Sequence, residues 1–201
     1  MTEVLERRDA VAEILRERGE LLVVAGLGAP SWDCAAAGDD SRNFYLWGAM
    51  GLAPMVGLGL AISQPRRRVL VVTADGEMLM GIGSLATIAA HRPTNFCLVV
   101  LDNEAYGETG GQQSHTAWGV DLAGIARAAG FVEAWTVRDR AEITRLRTSI
   151  HDADGPLFAS VKISSAKVPM VLPPRSGSFL HHRFRDAVGT GKRPAKPFPN
   201  D

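Results

Sequence analysis

Cysteine is nearly missing from this chain. Cys34 and Cys97 are the two it has, too few for a disulfide framework or a thiolate-held cluster. It also lacks a charge excess: Lys plus Arg is 22 and Asp plus Glu is 22. That balance excludes a protein dominated by contacts to a phosphate backbone, which would show a basic surplus. No apolar stretch is long enough to cross a membrane. The longest Gly/apolar run, Gly48 to Ile62, is 15 residues, against about 20 for a spanning helix. The first residues mix Glu3, Glu6 and Asp9 with Arg7 and Arg8 and show no apolar signal core. With 201 residues, 46% of them hydrophobic and 22% charged, the expectation is one soluble cytoplasmic domain over residues 1–188. The remainder, 189–201 (GTGKRPAKPFPND), has little to bury and reads as a disordered tail.

What is present is a rhythm of strands and helices. Val4, Val11, Ile14 and Leu15 recur at helical spacing within 3–19, with Gly19 as a stop. Strands are expected at Leu21–Ala25, Arg68–Thr73, Asn95–Leu101, Val132–Val137 and Leu157–Ile163. VLVVT and FCLVVL are apolar on both faces, as strands of a parallel sheet covered on both sides are. Crossover helices fit Ala53–Ser63, Gly81–His91, Asp121–Ala129 and Arg140–His151. The reading is an α/β, doubly wound, open and mainly parallel sheet. The polar stretch Ala29–Asn43 reads as a loop over the site, and FLHHRFRDAV as a C-terminal helix. In that helix His181 and His182 beside Arg183 and Arg185 read as a solvated basic face.

Ligands of such sheets bind beyond the carboxyl ends of the strands. One strand ends in Ala74-Asp75-Gly76-Glu77 and another in Asp102-Asn103-Glu104-Ala105-Tyr106-Gly107, with 25 residues between Gly76 and Asp102. Glycine lets the backbone turn sharply against a ligand, and the helix that follows offers free N–H groups to an anion. If the strands are neighbours, Asp75 and Asn103 stand side by side. A carboxylate, an amide oxygen and a backbone carbonyl form a hard-oxygen set suited to Mg²⁺ whose remaining ligands are phosphate oxygens and water. The residues alone therefore point to Mg²⁺ and a phosphorylated small molecule.

ADG followed by DN resembles the GDG…NN motif of the thiamine-diphosphate-dependent enzymes. Asn43-Phe44-Tyr45-Leu46-Trp47-Gly48-Ala49-Met50-Gly51-Leu52-Ala53 is similar to a segment of sulfopyruvate and phosphonopyruvate decarboxylases, as are Gly83–Thr87 and Thr109–Gln112. The resemblance covers roughly residues 20–165 and implies the thiamine-diphosphate-binding fold. By that resemblance Asp75 and Asn103 bind Mg²⁺ through side chains and Ala105 through its carbonyl. Gly76 and Glu77 give backbone N–H groups to the diphosphate. The Gly48 carbonyl takes the aminopyrimidine amino group, with Ala49 beside it, and Met50 is the wedge that holds the cofactor bent. Tyr106 and Gly107 complete the cofactor loop, and Gly28 and Ser31 line the diphosphate. Ala74 and Asp102 depart from the motif's glycine and asparagine without removing a ligand atom.

The resemblance also implies a partner. The glutamate that activates the cofactor lies on a pyrimidine-binding domain, for which this chain has no room. The chain is therefore expected to be the diphosphate-binding half of a split enzyme, similar to the sulfopyruvate decarboxylase β subunit, with stoichiometry α2β2 or higher. The implied reaction decarboxylates a small 2-oxo acid to an aldehyde, with Gln112 and His115 as candidates for proton transfer or carboxylate recognition. Three alternatives stay open. They are a 2-oxo-acid oxidoreductase β subunit, a carboligase related to acetolactate synthase, and a cofactor-binding protein without turnover.

Overall fold

The computed structural model describes residues 4–189. Six strands form one parallel sheet: β1 (Leu22–Ala25), β2 (Asn43–Tyr45), β3 (Val69–Ala74), β4 (Phe96–Asp102), β7 (Glu133–Val137) and β8 (Leu157–Lys162). Their order is β2-β1-β3-β4-β8-β7, and β5 (Ala105–Tyr106) pairs with β6 (Gln112–Gln113) as a small antiparallel ribbon. The helices are α1 (Arg7–Ile14), α2 (Ala29–Ala36), α3 (Ala53–Ser63), α4 (Asp75–Met80), α5 (Ser84–His91), α6 (Leu122–Ala129), α7 (Arg140–Asp152) and α8 (Gly177–Val188). Among the described residues no helix is long and apolar enough to cross a membrane.

Alternation along the strands builds two cores. Val23, Leu70, Val72 and Val99 pack with Val11 and Ile14 of α1, Cys34 of α2 and Leu146 of α7. Val24, Val69, Val71 and Leu98 face the other way, onto Ala53 and Leu58 of α3, Ile88 of α5 and Ala126 of α6. The central strands β1, β3 and β4 are buried along nearly their whole length, which explains why they carry apolar residues at consecutive positions.

Three segments differ from the sequence reading. The first helix is shorter than 3–19: Leu5 bridges to Ile163 before it, and after Leu15 no apolar residue follows to bury until Leu21. The expected loop Ala29–Asn43 holds α2 and leads into β2. Pro30 starts that helix, and Ser31, Asp33 and Cys34 are buried although two of them are polar. The helix expected over Gly81–His91 begins only at Ser84, while a separate short helix, α4, starts directly at Asp75. Of the segment read as a disordered tail, residues 190–201 lie outside the described residues, and Gly189 closes α8 in the left-handed region.

From Ile163 an irregular strap, residues 164–176, runs over the carboxyl ends of the strands. Arg8 Nη2 donates to the Pro169 carbonyl at 2.6 Å, and Trp47 Nε1 donates to that of Pro174 at 3.0 Å. The strap delivers α8 to the edge strand β2, where Phe184 meets Phe44 (centroids 5.3 Å apart) and Arg183 pairs with Asp39 at 2.7 Å.

Candidate functional site

The register of β3 and β4 sets Ala74 against Leu101, so Asp75 and Asp102 leave the sheet as neighbours, followed by Gly76 and Asn103. Asp75 is fully buried at the head of α4. Its Oδ2 accepts from the Ser114 hydroxyl, and Thr116 Oγ1, whose one proton goes to Asp102, lies 3.3 Å away. Its Oδ1 has no hydrogen-bond partner among the described residues. Burial raises the Asp75 pKa above the ordinary carboxylate value, the Ser114 hydroxyl and the Gly76 N–H oppose that, and the charge on Asp102 adds to the rise.

Asp102 is satisfied by contrast. It accepts from Thr116 Oγ1 (2.8 Å) and Ser160 Oγ (3.2 Å), and Lys162 Nζ lies 2.8 Å away while also reaching Glu104 at 2.7 Å. Thr116 thus joins two carboxylates, one saturated and one with an open oxygen. Asn103 Oδ1 accepts from the Ala105 N–H at 3.1 Å, which turns the chain at the end of β4. A Cβ added to Gly76 would lie 2.6 Å from the Tyr106 ring, so that ring rests directly on the glycine.

Glu77 does more than its backbone suggests. Its buried carboxylate takes the Thr73 hydroxyl at 2.6 Å and sits where a Cβ on Gly26 would have to go. Burial raises its pKa, while Thr73 and the backbone N–H groups of Gly51 and Leu27 pull it down. One side chain therefore underpins the loops after β1 and β2.

Above these groups is a cavity of about 160 Å³. Met50 stands on one wall, Gly76 and Glu77 on the next, and Asn103, Ala105, Tyr106 and Gly107 on a third. A second cavity of about 630 Å³ adjoins it, sharing Arg7, Asn103, Ala105, Gly107 and Glu108 and extending under the strap to Ser165 and Lys167. The other candidates lie outside both walls. Gly28, at φ 77°, sits against Glu108, 3.1 Å from its Cγ to an added Cβ. The Ser31 hydroxyl is engaged by the Gly26 carbonyl at 2.7 Å. Gly48 and Ala49 lie on the loop between β2 and α3, with Ala49 in the left-handed region at φ 59°. Gln112 is exposed on β6, and His115 is exposed with its ring edge-to-face with Trp118.

Ser114, Thr116 and Arg7 were not singled out from the sequence. Ser114 and Asp75 are 39 residues apart, and a lone Ser-x-Thr carries no local signal. Chemically, an open buried carboxylate oxygen beside an amide and a turn of carbonyls can hold a hard cation, and the short helix behind Asp75 leaves N–H groups free for an anion. Among the described residues no group of three or more His, Cys, Asp or Glu is placed to hold a metal, so such an ion would rely on amide and carbonyl oxygens.

Comparisons with known proteins point to one family. The family described as thiamine pyrophosphate enzyme, C-terminal TPP binding domain, matches residues 35–161. The chain is 39% identical over 170 residues to sulfopyruvate decarboxylase subunit beta of Methanothermobacter thermautotrophicus, covering 84% of this chain and 88% of that one. It is 35% identical to phosphonopyruvate decarboxylase of Streptomyces hygroscopicus, covering 86% of this chain but 45% of that longer one. A crystal structure from Mycobacterium smegmatis, assigned to the thiamin diphosphate-dependent enzymes, superimposes with a TM-score of 0.68 at 24% identity, over 81% of this chain and 32% of that one. That likeness shows the fold.

Proposed function

This chain belongs to the thiamine pyrophosphate enzyme family, matching its C-terminal TPP-binding domain, and from that premise we propose that it is the diphosphate-binding subunit of a two-polypeptide, Mg²⁺-dependent decarboxylase. Its substrate is a small 2-oxo acid of the sulfopyruvate or phosphonopyruvate kind, and its product an aldehyde. The observation that carries this reading is Asp75: a fully buried carboxylate, one oxygen of which has no side-chain partner among the described residues, beside Asn103 at adjoining strand ends. A buried anion in that state is costly unless a cation completes it. The residues fit Mg²⁺, with Asp75, Asn103 and the Ala105 carbonyl as protein ligands.

Thiamine diphosphate, when bound, supplies the electron sink for loss of CO₂. The chain's own residues do the rest. Ser114, backed by Thr116, fixes the Asp75 carboxylate, and the Gly76 and Glu77 N–H groups would hold the diphosphate. Tyr106 rests on Gly76, and Glu77 ties the loop carrying Gly48, Ala49 and Met50 to the loop carrying Gly28 and Ser31. Met50 is 42% exposed on the cavity wall, as a wedge awaiting a ligand would be. Gln112, on the ribbon beyond Gly111, and His115, at the start of the helical turn that follows it, are the residues this reading assigns to meet the acid or move a proton.

The activating glutamate comes from the partner, a pyrimidine-binding subunit, in an α2β2 or higher assembly. Supporting that, Met50, Leu52 and Met80 form an exposed apolar rim where the loop after β2 leans on the end of α4 through Gly51 and Gly81. The chain also spans 88% and 98% of two proteins named as beta subunits. A cytoplasmic setting suits the free, buried thiols of Cys34 and Cys97.

Calorimetric titration of thiamine diphosphate with Mg²⁺ into the complex with the partner tests the reading. Asp75→Ala is expected to abolish Mg²⁺-dependent binding, and unchanged affinity in that variant would sink the site assignment.

A further inference from the structure

Arg7 is the first residue of α1, and only 9% of it is exposed. Its Nε lies 3.1 Å from Asp33 Oδ2, within ion-pair range but without the alignment of a hydrogen bond. Arginine carries five N–H donors in a planar fork, and here none makes a hydrogen bond to a described residue. Nε is sealed from solvent, and the residue lines the wall shared by the two cavities. Burying such a group unsatisfied is expensive, and an acceptor entering the cavity removes that cost.

The charges around Asp33 favour an anion. Asp33 is fully buried and is flanked by two guanidiniums, Arg7 at 3.1 Å and Arg8 at 3.4 Å. One carboxylate for two arginines leaves a positive surplus. Arg8 directs its own Nη2 to the Pro169 carbonyl, whereas Arg7 is the one on the cavity wall. Lys167 adds a second cation to the larger cavity, where Glu108 is the opposing charge, whereas the smaller cavity sets Glu77 and Glu108 against Arg7.

We infer that Arg7 is an oxyanion-binding residue of this site, with Asp33 holding its guanidinium toward the cavities. The inference rests on the cofactor reading above and deepens it. Two sources supply the same chemistry: the terminal phosphate of the cofactor, or an acidic group of the substrate. Both fit a planar fork that takes two oxygens of one group.

The test compares Arg7→Met, Arg7→Lys and Arg8→Met in the complex with the partner subunit. Arg8→Met removes the other partner of Asp33, and the hold on Pro169, without removing the Arg7 guanidinium, so it reports the structural effect of loosening this corner. Thermal unfolding first establishes that each variant folds. Titrations with Mg²⁺-thiamine diphosphate and with Mg²⁺-pyrophosphate follow, then the KM for sulfopyruvate at saturating cofactor. If the oxyanion is the cofactor's, Arg7→Met weakens both diphosphate titrations about tenfold or more and leaves KM alone. If it is the substrate's, KM rises by that factor and the titrations hold. In either case Arg8→Met has the smaller effect and does not favour one arm over the other, and Arg7→Lys, which keeps the charge but not the fork, falls between it and Arg7→Met. Equal effects of Arg7→Met and Arg8→Met, or no effect of either, overturn the inference. Wild-type protein that binds pyrophosphate but not thiamine diphosphate would instead overturn the cofactor reading, with Arg7 then judged on the pyrophosphate arm.

Discussion

Lys162 holds two carboxylates, Asp102 at 2.8 Å and Glu104 at 2.7 Å, and these contacts raise its pKa against the opposing effect of its own burial. Asp102 is 2% exposed, so Lys162→Met leaves a buried charge short of its cation. The expected cost is about 2–4 kcal/mol in urea unfolding. Adding Asp102→Asn, which replaces the charge with the asparagine of the motif this segment resembles, is expected to recover most of that loss. Full additivity of the two substitutions would show that the pair does not act as a unit. Asp75 and Asn103 were legible because each sits in a short, dense motif at a strand end. Ser114, Thr116 and Arg7 were not, because their meaning depends on contacts that only the folded chain creates.

At the level of elements, α3 carries a natural comparison. A Cβ on Gly57 would lie 2.1 Å from Val71 Cγ2 and 3.1 Å from the Phe96 ring, whereas one on Gly59 meets nothing within 4 Å. Gly57→Ala therefore forces helix and sheet apart, at an expected cost of about 1–3 kcal/mol. Gly59→Ala only restores helix propensity and is expected to stabilise by roughly 0.5–1 kcal/mol. Chemical denaturation of both variants checks the pair, and a shift of the same sign in the two would contradict the packing argument. Gly81 gives the functional counterpart, because its added Cβ would lie 2.0 Å from the Gly51 carbonyl. Gly81→Ala should displace the loop bearing Met50 and weaken cofactor affinity in titration more than it lowers the melting temperature of the ligand-free protein. The strands of the sheet were readable because burial on both faces writes apolar residues at every position. α2 was not, since its polar residues Ser31 and Asp33 are buried in internal bonds and ion pairs rather than exposed. The three-residue β2 is too short to show a period.

For the molecule as a whole, the buried acids set an alkaline limit. Burial pushes the Cys34 and Cys97 thiols up to about 12 and raises the Tyr45 hydroxyl as well. In the unfolded chain a thiol loses its proton near pH 8.5. Above that pH the unfolded state holds fewer protons than the folded one, so stability falls as pH rises, by about 1.4 kcal/mol per unit for each thiol. Urea midpoints measured from pH 8 to 10 should decline in the wild type. A Cys34→Ala/Cys97→Ala double variant, although weakened by its cavities at every pH, should decline much less steeply. Parallel slopes would mean that the thiols do not set the limit.

The way α8 covers β2 also bears on how the chain is made. Arg183 and its partner Asp39 are 144 residues apart. At roughly 5–20 residues per second, translation leaves the β2 edge bare for about 7–30 seconds before its cover emerges from the ribosome. An uncovered sheet edge is a template for pairing with a neighbouring chain. The yield of usable protein is thus tied to the pace of synthesis: a slower ribosome lengthens the interval in which nascent chains can meet edge to edge.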